Sequence, residues 1–555
     1  MKDGALRIQV KFLLGVILLI IGLFLITPYR IMAEQFLHLV PVEKQELFLQ
    51  KFFTCRQYWL LKFFVGSIGL AIGIIYSRFQ AYLELGMRDL FVQAKEWWLS
   101  CRSTYQNWTY TEKFVFWFLL IGVGSVQIFF SFAYPIHIDE AFSYVFFAHK
   151  GLGVTLAFYP GPNNHIGYTI LVSLLAKFMP SLMAIRIPVL LQSIMTYAFA
   201  YSWIVKRYGI LSAVCAIVLF AFSEYGLFYS VHGRGYWAVM FSTYLAFWLL
   251  EKYFQTPQRV YLFVFVFVCL YGFYCVPVFL YPFLSILVWL GWRLHQSRYF
   301  QWRSWAVALV LIGIGTILLY APVLIFNDWQ TITANPWVLR GKSSFWKDYV
   351  KYCIEVNAAF YGTECAGFWL VVALWSASIV GLFVRSCRNV SFWILCVGLL
   401  PFGFILFQQV LPFTRVWLYK SALEFGIIGI LLGYYLSKTT WQKCIVSFLL
   451  VLYSFWQLRL HYIRLQTDGN LYRNAIACAH RILQEKPRLV YANHDLYQVI
   501  LRYEAIQKNC SVLIETKSLS EKVDIILEDK KFPLLSKGDL LWEDDQVRVW
   551  KLVQT

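Results

Sequence analysis

Along most of the chain, apolar positions follow neither a strand alternation nor the 3.6-residue stripe of a half-buried helix. They collect instead into long unbroken runs. A run of about 20 apolar residues is long enough to cross a hydrocarbon core as a helix. The first follows Lys2, Arg7 and Lys11 and continues to about Thr27, longer than a signal-peptide core, so it reads as a first span. Further runs occupy about 58–76, 114–133, 186–205, 209–229, 235–253, 259–276, 277–293, 305–326, 367–385, 391–411, 416–437 and 442–457. The pattern therefore predicts an all-α polytopic membrane protein with about thirteen transmembrane helices.

Two regions break that pattern. Residues 164–179 (NHIGYTILVSLLAKFM) are apolar but short, with His165 and Lys177 near the ends, which predicts an interfacial helix lying on the membrane. From about residue 458 the runs give way to mixed short periods. NAIACAHRIL and HDLYQVILRYEAIQ carry a helical period; RLVYAN, SVLIET, VDIILED and DDQVRVWKLV carry strand character. The tail reads as a small α/β domain, and the chain divides into a two-span extension with its loop (1–113), a transmembrane module (114–457) and the tail (458–555).

Composition agrees with the runs and removes the soluble classes. Of 555 residues, 60% are hydrophobic and 14% charged, against about 45–50% and about 25% in soluble domains. The net charge of +19 sits almost wholly outside the tail, where 15 Lys and Arg face 13 Asp and Glu. No basic stripe or recognised module accompanies that charge, so a nucleic-acid partner is not expected; lipid phosphate is. The 12 cysteines show no metal-site spacing. With 164–179 lying flat, the loops at 206–208, 252–259, 293–304, 385–390 and 438–443 share one side and hold eleven cations, from Lys206 and Arg207 to Lys443. The opposite short loops hold Arg234 and Arg415. The positive-inside rule puts the eleven in the cytoplasm, and the loops 134–185 and 327–366 and the tail outside an inner (plasma) membrane.

Candidate chemistry gathers on that outer side. Asp139 and Glu140 are the only carboxylates between Tyr134 and Phe178, set just beyond a span in aromatic surroundings where a carboxylate is costly. The plainer reading is a pair of acids favouring a helix start. After them come Tyr159-Pro-Gly-Pro-Asn-Asn-His165, Arg186-Ile-Pro188, His232-Gly-Arg234-Gly-Tyr236 and Arg415-Val-Trp-Leu-Tyr419.

This order resembles the polyprenol-dependent GT-C glycosyltransferases of the family 39 type, the bacterial protein O-mannosyltransferases and lipid A aminoarabinose transferases, over roughly residues 114–437. The sequence departs from the family at Ile166, where a proline usually follows the loop histidine, and in the two spans before the Asp-Glu loop. The resemblance implies a GT-C fold and transfer of a sugar from a polyprenyl-phosphate donor to an extracytoplasmic lipid, glycan or protein, with inversion. It implies Asp139 as base with Glu140 as helper. For the donor phosphate it points to Arg234, Arg415 and Lys420, with His165 and His232 as hydrogen-bond donors. Tyr236 belongs to the same basic-aromatic motif, although a place in the belt or core is its plainer reading. Arg234 and Arg415 could equally be cations snorkelling to lipid phosphates, and His165 a helix cap. No nucleotide motif and no metal site is expected, since the donor is already activated.

Two rival classes fit a polytopic chain: a lipid-linked-sugar flippase or transporter, and a surface-polysaccharide polymerase or ligase. A transporter predicts ionisable groups deep in spans and inverted repeats; few such charges and no half-to-half symmetry are evident. The loop 327–366 is rich in aromatics, with Trp346, Tyr349 and Val350 at helical spacing, predicting an amphipathic helix. In relatives a comparable loop covers the donor cavity, so the resemblance implies a lid. Cys353 and Cys365 are either joined as a disulfide or left as two thiols.

Overall fold

The computed structural model describes residues 2–37, 49–50, 53–161, 163–296, 302–327, 339–340, 345–361, 364–383, 388–435, 437–515, 523–531 and 539–552. Its body is a bundle of apolar helices that turn their greasiest faces outward. On the helix Tyr110–Ala133 the side chains of Phe118, Ile121, Phe129 and Phe132 are exposed, whereas Gln127 and Ser131 are buried. That inversion is what a hydrocarbon solvent selects: polar groups seek partners inside and aliphatic groups meet lipid.

Local signals set the helix ends. Thr109 caps Tyr110–Ala133 in a reciprocal box with Glu112, and Thr439 does the same with Gln442 at the start of Thr440–Gln484. Gly209, at φ +84°, closes the helix Ser181–Tyr208 and opens Ile210–Phe222. The latter packs directly on Leu418–Ile430, where a Cβ on Gly429 would lie 2.2 Å from the backbone nitrogen of Ala216. Small residues allow two backbones in a membrane to approach this closely.

Eight helices among the described residues are long and apolar enough to span a membrane, or nine if Ile210–Phe222 and Glu224–Val231, bent by 69°, form one broken span. The expectation of about thirteen is corrected to that number. Arg259–Cys275, Leu14–Ile26 and Val372–Gly381 are shorter than 18 residues. Tyr236–Gln255 is long enough, but aromatic and hydroxyl side chains, with Glu251 and Lys252, supply much of its length. The predicted interfacial segment is the ten-residue helix Ile166–Leu175, too short to cross a bilayer.

The last long helix, Thr440–Gln484, runs unbroken through position 458, so the first helix of the tail continues the final span. Beyond it a five-stranded sheet forms from β3 (Leu489–Ala492), β4 (Leu513–Glu515), β5 (Ile525–Asp529), β6 (Asp539–Glu543) and β7 (Val547–Lys551), in the order β4-β3-β5-β7-β6. The first pairings are parallel, those to β7 antiparallel. The β6 segment DLLWE lacks a clean alternation and is absent from the sequence reading. A separate ribbon pairs β1 (Leu339–Arg340) with β2 (Val410–Leu411).

Within 327–366, the helix Phe345–Tyr361 forms as its spacing predicts. Phe345, Tyr352, Val356 and Phe360 face the core, and Trp346 and Val350 point outward. Cys353 is a free thiol; the side chain of Cys365 lies outside the described residues.

The tail packs against the end of the bundle that carries Asp139. Tyr134 Oη donates to the carbonyl of His461, Arg464 pairs with Glu224 at 3.0 Å, and Tyr503 Oη meets Ser181 Oγ at 2.6 Å. The loop containing Arg298 belongs to the opposite end. A reporter fused at the C-terminus and one inserted between residues 297 and 301 are therefore expected on opposite membrane faces, the second cytoplasmic. Identical readings from the two would overturn this topology.

Candidate functional site

Tyr134, at the end of a span, leads through Pro135 into the six-residue helix Ile138–Ser143. His137 is its N-cap: Nδ1 accepts from the amide of Asp139, and Glu140 Oε2 accepts from the amide of His137 at 3.0 Å. The two neighbouring carboxylates then part. Glu140 points inward and is fully buried, while the Asp139 side chain keeps 28% of its exposure.

Glu140 meets Arg186 in a two-pronged pair, Nε to Oε1 at 3.0 Å and Nη2 to Oε2 at 2.7 Å. The remaining Arg186 donors go to the carbonyls of Ser131, Tyr134 and Pro135, and the amide of Gly233 donates to Glu140 Oε1 at 2.6 Å. Burial alone would raise the Glu140 carboxyl. Arg186 above all, with His232 and the Gly233 amide, outweighs it and holds the carboxyl down to about 2. Both oxygens are taken, so this carboxylate has no face open to a substrate. The expectation of Glu140 as catalytic helper is corrected: its partners tie three segments together.

Asp139 faces cations instead. Arg234 Nη1 lies 3.7 Å from Oδ2 and donates to the Asp139 carbonyl at 3.2 Å. Burial would lift its carboxyl, yet Arg234, His137, Arg415 and His165 lower it to about 2, so it is ionised at neutral pH. Arg234 is buried, and its Nε finds no acceptor among the described residues. Such an orphaned donor beside a partly open carboxylate is where an anion would be welcome.

The sequence His232-Gly-Arg-Gly-Tyr236 is explained by crowding. A Cβ on Gly233 would come within 2.3 Å of Ile185, and one on Gly235 within 2.6 Å of His165 Nδ1. The Gly235 amide donates to His165 Nδ1 at 2.7 Å, and His165 Nε2 lies 3.5 Å from Arg234 Nη2. Burial and the two arginines press the His165 pKa well below its ordinary value, so the ring is neutral. Tyr236 stands edge-on to His165, with ring centroids 4.9 Å apart, and its hydroxyl accepts from Arg415 Nε at 2.7 Å. Arg415, half-buried over the ring of Phe413, has no carboxylate partner among the described residues. Asp139, His165, Arg234, Tyr236 and Arg415 thus form one cluster drawn from four separate segments.

Two other expected residues lie elsewhere. His232 stacks on Phe228 at 3.9 Å and its Nδ1 is bound to the Phe228 carbonyl at 2.8 Å. Burial takes its pKa to about 3, so it packs as a neutral ring behind Glu140. Lys420 is fully buried and bonded to Glu424 at 2.6 Å and Asn357 at 2.9 Å, which leaves it no free face for a phosphate. Its charge is matched inside the bundle, where an unpaired ammonium would be costly. His137 was missed as a site residue. Its position three residues before Glu140, at a helix start, is the capping-box spacing that could have marked it. Among the described residues no three His, Cys, Asp or Glu side chains converge as a metal site would require.

Removing one partner of a buried pair strands the other charge, at about 3–5 kcal/mol. Arg186→Met is therefore expected to lower the apparent Tm of the purified protein markedly, and adding Glu140→Leu to recover most of the loss. An unchanged Tm in the single variant would refute the tie. Because the Glu140 pKa is depressed from 4.5 to about 2, its stabilisation is complete above about 4.5 and is lost as the pH falls toward 2.

No family model matches the chain, and no curated protein matches it. Among solved structures it is similar to ArnT from Cupriavidus metallidurans, both bound to undecaprenyl phosphate and in the apo state. In each case the identity is 12%, the match covers 78% of this chain and 97% of that chain, and the TM-score is 0.49.

Proposed function

We propose that this chain is a membrane glycosyltransferase that moves a sugar from a polyprenyl phosphate to an acceptor on the far side of the membrane. The observation that carries the reading is one ionised, partly open carboxylate, Asp139, held against two guanidiniums, Arg234 and Arg415, that lack a full set of acceptors. The order of motifs along the chain supports it, since four of them meet in this cluster.

The chemistry follows from those charges. The acceptor oxygen or nitrogen attacks the anomeric carbon, the bond from that carbon to the phosphate oxygen breaks, and the electron pair leaves with the lipid phosphate. The acceptor proton passes to Asp139. Arg234 and Arg415 meet the charge that grows on the departing phosphate, a place where fixed cations lower the barrier most. They also set the base. In the free protein they hold the Asp139 carboxyl near 2, too acidic for efficient proton transfer. A phosphate seated on both arginines draws their charge away, so the carboxylate regains basicity only when the donor is present. With Glu140 fully bonded, one carboxylate is available, which favours a single displacement with inversion. Tyr236 and His165 align the arginines, and the loop 327–366 is the cover that would exclude water from the donor.

The test uses purified protein with a radiolabelled polyprenyl-phosphate sugar. Asp139→Asn is expected to cut transfer by about 10²–10⁴-fold while keeping its apparent Tm and donor binding. Wild-type turnover in that variant would end the assignment. Arg415→Ala is expected to lower both kcat and donor affinity, since it removes a contact made by ground state and transition state alike; normal kinetics would remove Arg415 from the site.

A further inference from the structure

A cavity of about 410 Å³ opens between the helices Ser181–Tyr208, Ile210–Phe222, Tyr236–Gln255, Leu280–Gln296 and Leu418–Ile430. It belongs to the end of the bundle away from Asp139. On Ser181–Tyr208 it is lined from Thr196 to Tyr208, whereas Arg186 of the Glu140 tie sits more than two turns nearer the opposite end. Its size is that of a small-molecule site.

The walls are apolar and aromatic, with Trp203, Phe247, Trp248, Trp289, Trp393 and Ile427 among them. A space with so few polar partners does not hold ordered water; it stays dry or takes an apolar chain. The rim is different. Glu251 is its acid, and it is already bound to Arg207 at 2.6 Å and to the Trp203 indole at 3.1 Å. Arg293 lines the same cavity with its guanidinium over the rings of Phe254 and Trp289, and its buried Nε has no acceptor among the described residues. Lys206 and Lys252 follow on the adjoining helix ends. The site thus offers an apolar slot under a cationic rim whose one carboxylate is spent.

We propose that this cavity binds the hydrocarbon chain of a phosphate-headed lipid taken from the leaflet at that end, with Arg293 holding the phosphate. It is separate from the transfer site and does not depend on the transfer reaction. The headgroup chemistry is shared by a glycerophospholipid and a polyprenyl phosphate, and the two are tested in separate arms.

Native mass spectrometry of the detergent-purified chain would be titrated with phosphatidylglycerol, with a polyprenyl phosphate, and with uncharged diacylglycerol. Gly426 lines the cavity, and a Cβ built on it meets nothing within 4 Å, so Gly426→Leu fills the slot without displacing a neighbour. Gly426→Leu and Arg293→Gln are each expected to retain at least tenfold less of the charged lipid than the wild type, with unchanged apparent Tm; Ala422→Leu substitutes if Gly426→Leu does not fold. Loss in the phosphatidylglycerol arm assigns the site to bulk leaflet lipid, and loss in the polyprenyl-phosphate arm alone assigns it to an isoprenoid. Asp139→Asn is expected to bind as the wild type does, so failure of the transfer reading leaves this result standing. Equal retention by the wild type and both cavity variants, or diacylglycerol held as tightly as the charged lipids, would overturn the proposal.

Discussion

The pairing of Glu140 with Arg186 is the constraint on which the Asp139 end of the molecule depends. Two charges withdrawn from water cost several kcal/mol each, recovered only when geometry is good and every remaining donor and acceptor is used. Here they are used. The guanidinium spends two donors on the carboxylate and others on the carbonyls of Ser131, Tyr134 and Pro135, while the Gly233 amide completes the carboxylate. The pair therefore fixes a span end, the start of the next span and the Gly233–Gly235 turn against one another. No apolar contact at this place could specify three backbones at once, because apolar packing has no direction.

From that tie the unequal fates of adjacent carboxylates follow. Successive side chains at a helix start point about 100° apart, so anchoring Glu140 inward turns Asp139 toward the opening. One acid is made inert by saturation, and the other is left partly open with cations on one side. Two chemically similar groups next to each other thus acquire separate roles from environment alone. The same tie brings Arg234 into place, since the turn that carries it is held at Gly233 and again by the Gly235 amide on His165.

A second buried pair, Lys420 with Glu424, obeys the same physics elsewhere in the bundle. The i,i+4 spacing on one helix lets the two charges cancel locally, and Asn357 from the helix Phe345–Tyr361 takes a third ammonium donor. The aromatic rings of Trp375 and Phe402 flank the ammonium at 5.3 and 5.7 Å. A lysine that looks free in sequence is therefore a fastener between two helices.

The sequence by itself determined the membrane class, because long apolar runs have no stable place in water and their length matches a bilayer. It also marked the Asp139–Glu140 helix start, the short helix after His165, the change of character in the tail and the motifs at 232–236 and 415–419. Only the tertiary structure decided how many of the runs form full-length spans, since the bend of 69° after Phe222 and the short helix Arg259–Cys275 are set by packing rather than by composition. It likewise separated Arg234, Arg415, His165 and Tyr236, which gather around Asp139, from His232 and Lys420, which do not. Charge and hydrogen-bonding capacity are written in each residue, but whether a donor is already spent depends on neighbours far away in the chain. Glu140 is spent on Arg186, 46 residues later, and Lys420 on Asn357, 63 residues earlier. Pairing over such separations leaves no periodic trace, so it becomes visible only when the segments are packed.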